Sequence, residues 1–228
     1  MRLAEIFYSI QGEGRLLGMP SVFVRTSGCN LRCVWCDTPY TSWKPEGKEW
    51  ALRQILAAVK KHPTSHVVIT GGEPLLAREI EKLTDRLKKK EYHITIETAG
   101  TIFNSVICDL IYISPKLSNP VPWKREGGRF SHMHDTHRLN LPVIQQFMDQ
   151  YDYQLKFVVE KKKDFSEIQG ILKRLHSVEP ARVVIMAQGR TKKDLRERAP
   201  WIVEMCKSRG FRYTPRLQID LYGNRRAT

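Results

Sequence analysis

Short apolar runs alternate along the chain with segments in which apolar residues recur every three or four positions. Runs of the first kind are typical of buried strands, and spacing of the second kind is typical of one face of a helix. The apolar runs predict strands at 22–24, 67–69, 93–97, 110–114, 155–159 and 183–186. The helical spacing predicts helices around 52–59, 80–87, 143–151, 168–175 and 201–207, followed by a last extended segment at 211–217.

This regular alternation predicts a fold class. Strands that alternate with helices are usually parallel and joined by right-handed crossovers, and the working edge of such a sheet is the carboxyl end of its strands. About six strands are too few to close an eight-stranded barrel. We therefore expect an α/β fold, an open partial barrel of about six parallel strands with flanking helices, in a single domain over residues 1–228.

Residues 115–138 interrupt the alternation. The segment contains prolines and two adjacent glycines, shows no periodicity and is longer than ordinary connections, so it predicts a lid-like or mobile insert. It also holds His132, His134, Asp135 and His137. Because nothing in their spacing fixes them on one face of a helix or strand, solvated side chains are favoured over metal ligands.

Composition excludes several classes of protein. The chain has 228 residues, of which 41% are hydrophobic and 27% charged, values that fit neither a disordered chain nor a membrane protein. Five cysteines are too few for a disulfide scaffold. No stretch has the length of a secretory signal or of a spanning helix. We expect a cytoplasmic protein without a membrane partner, with its thiols reduced.

The net charge of +14 favours anionic partners. The basic residues are scattered along the chain rather than gathered in one tail, so charge alone leaves three kinds of partner open. These are nucleic acid, an acidic protein and an anionic metabolite.

The most specific pattern is a cysteine triplet directly after the first predicted strand: Cys29, Cys33 and Cys36. A structural zinc site uses four protein ligands, whereas three cysteines around a four-iron cluster leave one iron free to bind something else. The triplet therefore favours an iron–sulphur cluster, with a zinc site completed by a histidine as the alternative. Cys108 and Cys206 stand at no ligand spacing and are predicted to be ordinary thiols.

The triplet, with Trp35 before its last cysteine and the turn Gly71, Gly72, Glu73, Pro74, resembles the radical S-adenosylmethionine (SAM) superfamily. The resemblance implies a [4Fe–4S] cluster on the three cysteines, with SAM bound to the free iron and cleaved to a 5′-deoxyadenosyl radical. It implies SAM contacts at Trp35, Cys36, Asp37, Gly72, Glu73, Ser114, Pro115, Lys116 and Gln188.

A narrower resemblance covers nearly the whole chain. Motifs at 10–14, 35–38, 97–100, 114–116 and 221–224, together with Arg25, are similar to the 7-carboxy-7-deazaguanine synthase family. This implies a lyase that contracts the ring of 6-carboxy-5,6,7,8-tetrahydropterin to 7-carboxy-7-deazaguanine and releases ammonia, in 7-deazapurine (queuosine) biosynthesis. It implies Mg²⁺ at Thr38 and substrate contacts at Ile10, Gln11, Gly12, Glu13, Arg25, Thr70, Glu97 and Thr228, with no catalytic group beyond the cluster and the SAM-derived radical.

Partners follow from the same resemblance and from the charge. A low-potential cluster needs an electron donor, and an acidic flavodoxin or ferredoxin is expected to approach Arg32, Lys44 and Lys48. A homodimer is expected by family analogy, and no nucleic acid is expected. Gln218 departs from the family, which usually has histidine there, and the consequence is left open.

Two other classes of function remain as alternatives. A radical SAM activase that places a glycyl radical on a protein would share the cysteine triplet but would need neither Mg²⁺ nor the pocket of Gln11, Gly12, Glu13 and Arg25. A zinc-dependent nucleic-acid-binding protein would fit the charge. It would be colourless and would bind nucleic acid in a salt-dependent way.

Overall fold

A nine-stranded sheet forms the centre of the computed structural model, which describes all residues 1–228. The strands are β1 Arg2–Ile10, β2 Pro20–Thr26, β3 Lys48–Glu49, β4 His66–Gly71, β5 His93–Thr98, β6 Leu110–Ile113, β7 Tyr153–Val159, β8 Val183–Ala187 and β9 Arg212–Thr214. The helices are α1 Pro39–Ser42, α2 Leu52–Val59, α3 Ile80–Lys88, α4 Ser131–His137, α5 Leu141–Gln150, α6 Asp164–Leu172, α7 Lys192–Lys207 and α8 Leu217–Tyr222. No helix is both long enough and apolar enough to cross a membrane.

The sheet is mostly parallel and does not close on itself. Its order is β3-β1-β2-β4-β5-β6-β7-β8-β9, and the seven strands from β2 to β9 pair in parallel. At one edge β1 runs antiparallel to β2, and the two-residue β3 runs antiparallel to β1. The expected open α/β sheet is confirmed, with one more parallel strand than predicted and two extra antiparallel strands.

Alternation along the strands gives the sheet two different faces. Val24, Ile69, Ile96 and Phe157 belong to the main core of 37 buried residues, which the helices cover. The residues between them point to the opposite face, where Phe7, Phe23 and Val68 form a small apolar cluster of their own. Nearer the carboxyl ends of the strands, this second face carries polar and charged side chains.

Strand β1 and helices α7 and α8 are among the elements that differ from the sequence prediction. Strand β1 has no clear apolar run and is stabilised by long-range pairing with β2, from Leu3 opposite Thr26 to Ile10 opposite Pro20. Helix α7 begins at Lys192, nine residues before the predicted Trp201, because its first turns are largely exposed and polar. Helix α8 follows β9 in place of the end of the extended segment.

The segment 115–138 has more regular structure than its composition suggests. It contains a 3-10 helix, Arg125–Gly128, and helix α4. His132 and His137 are exposed as expected, but the prediction of solvated histidines is wrong for His134, which is 0% exposed. The helix turns this one ring inward, against the loop that carries the cysteines. Movement of the segment as a lid, and a single-domain organisation of the chain, stay predictions.

Candidate active site

The inward-facing residues near the carboxyl ends of the parallel strands line one cavity of about 510 Å³. Because side chains alternate along each strand, each of the parallel strands β2, β4, β5, β6, β7 and β8 sends one or two of them into it. They are Phe23 and Arg25 from β2, Thr70 from β4, Glu97 from β5, Tyr112 from β6, Lys156 and Val158 from β7, and Met186 from β8.

The cavity also brings together most of the residues singled out in the sequence. The cysteine triplet, the 10–13 loop, the 35–38 segment and Thr228 all contribute to its wall. Of the predicted site residues, only Glu73 and Pro115 lie outside the lining. Motifs from five separate parts of the chain thus meet at one edge of the sheet, and the roles assigned to individual residues stay predictions.

The three cysteines of the triplet lie in the loop between β2 and α1 as free thiols. Cys29 Sγ accepts a hydrogen bond from the backbone N–H of Leu31 at 3.3 Å, and Cys36 Sγ accepts one from Ser42 Oγ at 3.3 Å. Burial raises the pKa of Cys29 to about 12 and raises the pKa of Cys33 as well. Deprotonated sulphurs at these positions would therefore need a bound cation to stabilise them.

Two glycines fit the turn after β4 tightly against the start of the cysteine loop. A Cβ atom on Gly72 would lie 2.1 Å from the carbonyl oxygen of Gly28, and one on Gly71, where φ is +142°, would lie 2.3 Å from the carbonyl oxygen of Thr26. The backbone N–H of Glu73 donates to the Gly28 carbonyl at 2.9 Å. Any larger residue would push the cysteine loop away from the sheet.

The buried carboxylate of Glu73 joins two segments of the chain through hydrogen bonds. It is 1% exposed and accepts hydrogen bonds from Thr98 Oγ1 at 2.8 Å, from the Ala99 N–H at 2.8 Å and from the Leu75 N–H at 3.2 Å. Burial raises its pKa, although these donors oppose the rise. The side chain ties the turn after β4 to the end of β5, so its expected contact with the SAM amino group stays a prediction.

A row of polar side chains crosses the cavity from the 10–13 loop to β4. Gln11 Nε2 donates to one oxygen of Glu97 at 3.0 Å, and Thr70 Oγ1 donates to the other at 2.9 Å. Gln11 Oε1 accepts from the backbone N–H of Glu13 at 3.3 Å. These bonds fix the orientation of the Glu97 carboxylate before any ligand arrives.

Arg25 is oriented by a residue that sequence analysis missed. Its Nε donates to Glu5 Oε1 at 2.7 Å, and Tyr40 donates to the same oxygen at 2.8 Å. The two Nη groups of Arg25 donate no hydrogen bond within the chain, so they are free to pair with an anion. Glu5 gives no sequence signal, because its partners are 20 and 35 residues away.

Glu5 also anchors the C-terminal tail. Its second oxygen accepts from Arg226 Nε at 3.1 Å, and the same guanidinium donates to Glu46 at 2.9 Å and lies 4.0 Å above the Tyr40 ring. This anchor brings Thr228, two residues further on, to the cavity wall.

A buried charge network lies on the other side of the cavity. Glu13 accepts from Lys156 Nζ at 2.5 Å, from Arg216 Nε at 3.3 Å and from Gln218 Nε2 at 3.1 Å. Arg216 also pairs with Asp37. Both side-chain oxygens of Glu13 and its backbone N–H are thus engaged within the chain, which leaves its backbone carbonyl for the predicted ligand contact.

The charges set one another's protonation. Burial alone would raise the pKa of Glu13, but Lys156 and Arg216 outweigh it and lower that pKa. Burial would likewise lower the pKa of Lys156, and Glu13 outweighs it and raises that pKa. Burial would raise the pKa of Asp37, and Arg216 outweighs it and lowers that pKa to about 2. The network is therefore fully ionised at neutral pH.

Sequence analysis missed Lys156 and Arg216. A lysine in the middle of the apolar run 155–159 was the available signal, because charged residues are almost never buried unless paired. The structure also accounts for Gln218. Its Oε1 lies 1.7 Å from where a Cβ of residue 12 would be, so Gly12 leaves space for the amide that bonds to Glu13.

Lys116 lies on the side of the cavity where SAM is predicted to bind, and both of its hydrogen-bond partners belong to Ser114. Lys116 Nζ donates to the Ser114 carbonyl at 2.6 Å and to Ser114 Oγ at 2.9 Å, and burial lowers the pKa of Lys116. Arg190, next to the predicted Gln188, donates to the carbonyl of Cys36 and was also missed from the sequence.

Comparison with known proteins shows to which family the chain belongs. A sequence profile of the radical SAM superfamily matches residues 23–116. The chain is 44% identical to the 7-carboxy-7-deazaguanine synthase of Rhodopirellula baltica, over 99% of this chain and 88% of the relative. It is 41% identical to the 7-carboxy-7-deazaguanine synthase of Halobacterium salinarum, over 96% of this chain and 90% of the relative. The chain belongs to the 7-carboxy-7-deazaguanine synthase family.

Solved structures agree with this assignment. The crystal structure of QueE from Escherichia coli matches with a TM-score of 0.69 and 25% identity, over 95% of this chain and 93% of that one. A structure of TYW1 with a lysine–pyruvate adduct bound matches with a TM-score of 0.58 at 14% identity, a likeness of the fold alone. The family resemblance expected from the sequence is confirmed.

Membership of the 7-carboxy-7-deazaguanine synthase family makes the protein a radical SAM enzyme and implies a four-iron cluster and SAM. The donor set fits the cluster, since three free thiols line one cavity beside two hydrogen-bond donors to sulphur. No three His, Cys, Asp or Glu side chains converge as ligands of a single metal ion. A four-iron cluster does not require that, because each cysteine binds a different iron.

Replacing Glu13 with glutamine removes the anion between Lys156 and Arg216 while keeping the shape of the side chain. We expect the free energy of unfolding at neutral pH to fall by about 3 kcal/mol, because a buried cation loses its partner. The folded state lowers the pKa of Glu13 below its ordinary 4.5, so its contribution is complete above pH 4.5 and is lost as the pH falls through the lowered pKa. Urea unfolding of both proteins should show the gap closing below pH 4.5.

The matched control is Glu81→Gln on the exposed face of α3. We expect it to leave both the stability and its pH dependence nearly unchanged, as is usual for surface positions. A gap between wild type and Glu13→Gln that stays constant down to the acid unfolding of the wild type would show that Glu13 is not held ionised by its neighbours.

Proposed function

We propose that the protein contracts the ring of 6-carboxy-5,6,7,8-tetrahydropterin to 7-carboxy-7-deazaguanine with release of ammonia, as a carbon–nitrogen lyase in 7-deazapurine (queuosine) biosynthesis. The observation that carries this proposal is the set of side chains that line one cavity. The cysteine triplet, the Gln11–Glu97–Thr70 row and the free Nη groups of Arg25 all face it. Full-length similarity to enzymes of that name supports the choice of reaction.

The polar row suits the amino-pyrimidinone edge of a pterin. That edge presents N–H donors beside a carbonyl acceptor, and its recognition needs acceptors and donors in fixed order. Glu97 supplies the acceptor, and its orientation is set by Gln11 and Thr70. The backbone of Ile10 and Gly12, at the end of β1, supplies further groups in the same wall.

Arg25 suits the substrate carboxylate. A guanidinium offers two parallel N–H donors to a carboxylate, and Glu5 holds this one by Nε so that the Nη groups remain available. Lys156 and Arg216 are balanced by Glu13 and Asp37, but Lys116 and Arg190 add to the positive charge of the cavity lining. An anionic substrate is therefore favoured over a neutral one.

When bound, the cluster and SAM would supply the one-electron radical chemistry that side chains lack. The side chains of the protein would bind these groups and exclude water from them. Trp35, Asp37, Lys116 and Gln188 line the cavity beside the cysteines, where they would hold SAM. The anchored tail lines part of the cavity and would help to keep water away from reactive species.

We propose Thr38 as the protein ligand of Mg²⁺. Its hydroxyl faces the cavity two residues after Cys36 and is 3.3 Å from Thr41 Oγ1. One neutral oxygen is a weak ligand for Mg²⁺, so water and substrate oxygens would complete the shell, as is usual for this ion.

An acidic flavodoxin or ferredoxin is the proposed electron donor, and it would meet the cluster loop at a basic face. Arg32, the first expected contact, is a poor one because its guanidinium donates back to the carbonyls of Cys29 and Leu31. Val34, within the loop, is 38% exposed, and Trp123, close in sequence to the Pro120 that bonds to Val34, is 61% exposed. Lys44 and Lys48 follow the loop along the chain, Lys124 and Arg129 follow Trp123, and all four are exposed.

The remaining expectations stay predictions: a homodimer, a cytoplasmic location and the absence of a nucleic-acid partner. Neither a glycyl-radical activase nor a zinc-dependent nucleic-acid-binding protein is favoured by any observation in the cavity. The full-length relatives carry the name of a small-molecule enzyme.

The function is tested by anaerobic reconstitution with iron and sulphide, followed by incubation with the carboxylated pterin, SAM, Mg²⁺ and a reductant. We expect the deazapurine carboxylate, identified by mass spectrometry, and less of it when Mg²⁺ is omitted. SAM cleavage without the deazapurine would reject the proposed substrate.

Alanine at Cys29, Cys33 or Cys36 should abolish both the visible absorbance of the cluster and turnover. Cys108→Ala and Cys206→Ala should affect neither.

Replacing Arg25 with lysine keeps the charge but removes the planar fork. We expect substrate binding to weaken by about 1–3 kcal/mol, seen as a raised KM, while SAM cleavage without substrate is unchanged. A pterin without the carboxylate is the matched control, because wild type and variant should handle it alike. If the variant lost equal amounts on both pterins, Arg25 would not be the carboxylate ligand.

Charge reversal tests the electron-donor face. Lys124→Glu combined with Arg129→Glu should slow turnover driven by an acidic flavodoxin, and added salt should remove most of the difference, because exposed charges are screened beyond roughly 8 Å in physiological salt. Turnover driven by dithionite should change little. The control is Lys61→Glu with Lys90→Glu, which changes the charge by the same amount at two exposed lysines that precede the amino ends of β4 and β5. Equal slowing by both pairs would place the contact elsewhere.

A further inference from the structure

The segment 117–137 is packed against the cysteine loop rather than over the cavity. The backbone N–H of Val34 donates to the carbonyl of Pro120 at 2.8 Å, and Arg125 Nη1 donates to the carbonyl of Val34 at 3.1 Å. The Arg32 guanidinium lies 5.3 Å above the Phe130 ring. The segment thus supports the part of the loop that joins Cys29 to Cys36 from outside.

His134 makes the most central of these contacts. Its ring is 0% exposed, and Nδ1 accepts a hydrogen bond from the backbone N–H of Arg32 at 2.9 Å. Since Nδ1 accepts, the proton of the neutral ring is on Nε2. That second nitrogen is buried and has no hydrogen-bond partner.

The unpartnered Nε2 shows what the histidine is there for. A buried donor without an acceptor destabilises the fold, so packing alone would favour a carbon ring of the same size. What phenylalanine cannot supply is an acceptor for the Arg32 N–H. This peptide belongs to an irregular loop, where no strand or helix partner satisfies it.

Arg32 is therefore held at both ends. Its backbone is fixed by His134, and its guanidinium donates to the carbonyl of Cys29 at 2.7 Å. The residue lies between the first two cysteines of the triplet and directly precedes Cys33. Fixing its peptide fixes the distance and direction between the Cys29 and Cys33 side chains.

We propose that His134 is a positioning residue for the iron–sulphur site, which holds the Arg32 peptide so that the cysteine loop has its ligand-ready shape before the cluster is bound. The proposal rests on the assignment of the triplet to the cluster. It does not depend on which substrate the enzyme converts.

Hydrogen exchange in the metal-free protein tests the first half of the proposal. His134→Phe should speed exchange of the Arg32 amide by about tenfold or more, the effect of losing one hydrogen bond. The thermal midpoint should hardly change, because the same substitution removes the unpartnered Nε2. His134→Asn, which can again present an acceptor, should restore slow exchange. His137→Phe on the exposed side of α4 is the matched control and should leave Arg32 unchanged.

Cluster retention tests the second half. After anaerobic reconstitution, an iron chelator is added and the visible absorbance is followed without SAM or pterin. His134→Phe should lose its cluster several times faster than wild type, His134→Asn and His137→Phe, because the cysteines are no longer held in place.

Two results would overturn the proposal. One is unchanged Arg32 exchange, or an unchanged rate of cluster loss, in His134→Phe. The other is a large fall in the thermal midpoint of both His134 variants with faster exchange throughout the core, which would make His134 an ordinary core residue. A protein that passes both tests but does not convert the pterin would leave this proposal standing and reject the proposed function.

Discussion

One carboxylate, that of Glu13, links the two sides of the open sheet. Glu13 follows β1 at one side of the sheet, and Arg216 and Gln218 follow β9 at the opposite edge. Lys156 reaches the same carboxylate from β7. A sheet that does not close through strand pairing is thus closed at its mouth by ion pairs, and the cavity exists because they hold the 10–13 loop across the gap. Two neighbouring bonds support this arrangement: Leu217 N–H to the Gly12 carbonyl at 3.0 Å, and Gly14 N–H to Thr214 Oγ1 at 2.8 Å.

Such a closure is costly in stability. Well-packed apolar residues often replace buried ion pairs with no loss, so pairs of this kind are weak arguments for stability alone. Here the charges face the cavity as well as one another, and Lys156 and Arg216 are balanced by Glu13 and Asp37. The rest of the lining has one carboxylate side chain, that of Glu97, and the cations Arg25, Lys116, Arg190, Arg225 and Arg226. The ion pairs that close the sheet are thus neutral among themselves, and the other side chains give the interior the sign that an anionic ligand needs.

Sequence analysis identified what short segments carry by themselves. Apolar runs located the parallel strands, and the spacing of Cys29, Cys33 and Cys36 located the loop after β2. It missed what depends on distant partners. Lys156 and Arg216 meet Glu13 from 143 and 203 residues away, and Glu5 meets Arg226 across 221. His134 was misjudged for the same reason, since its buried environment is created by the cysteine loop 102 residues earlier. Local patterns show periodicity and spacing, and they cannot show which loops will face each other.

The position of these contacts along the chain has a consequence for biosynthesis. During translation, β1 to β6 and the cysteine loop emerge first, and the core strands can pair as they appear because parallel neighbours in this sheet follow one another in sequence. Glu13 has no partner until β7 brings Lys156, and it gains Arg216 only after β9 has left the ribosome. For most of the synthesis the mouth is therefore open while the floor of the cavity is already forming. The cysteine loop therefore leaves the ribosome well before Arg216 and the C-terminal tail, which complete the wall of the same cavity.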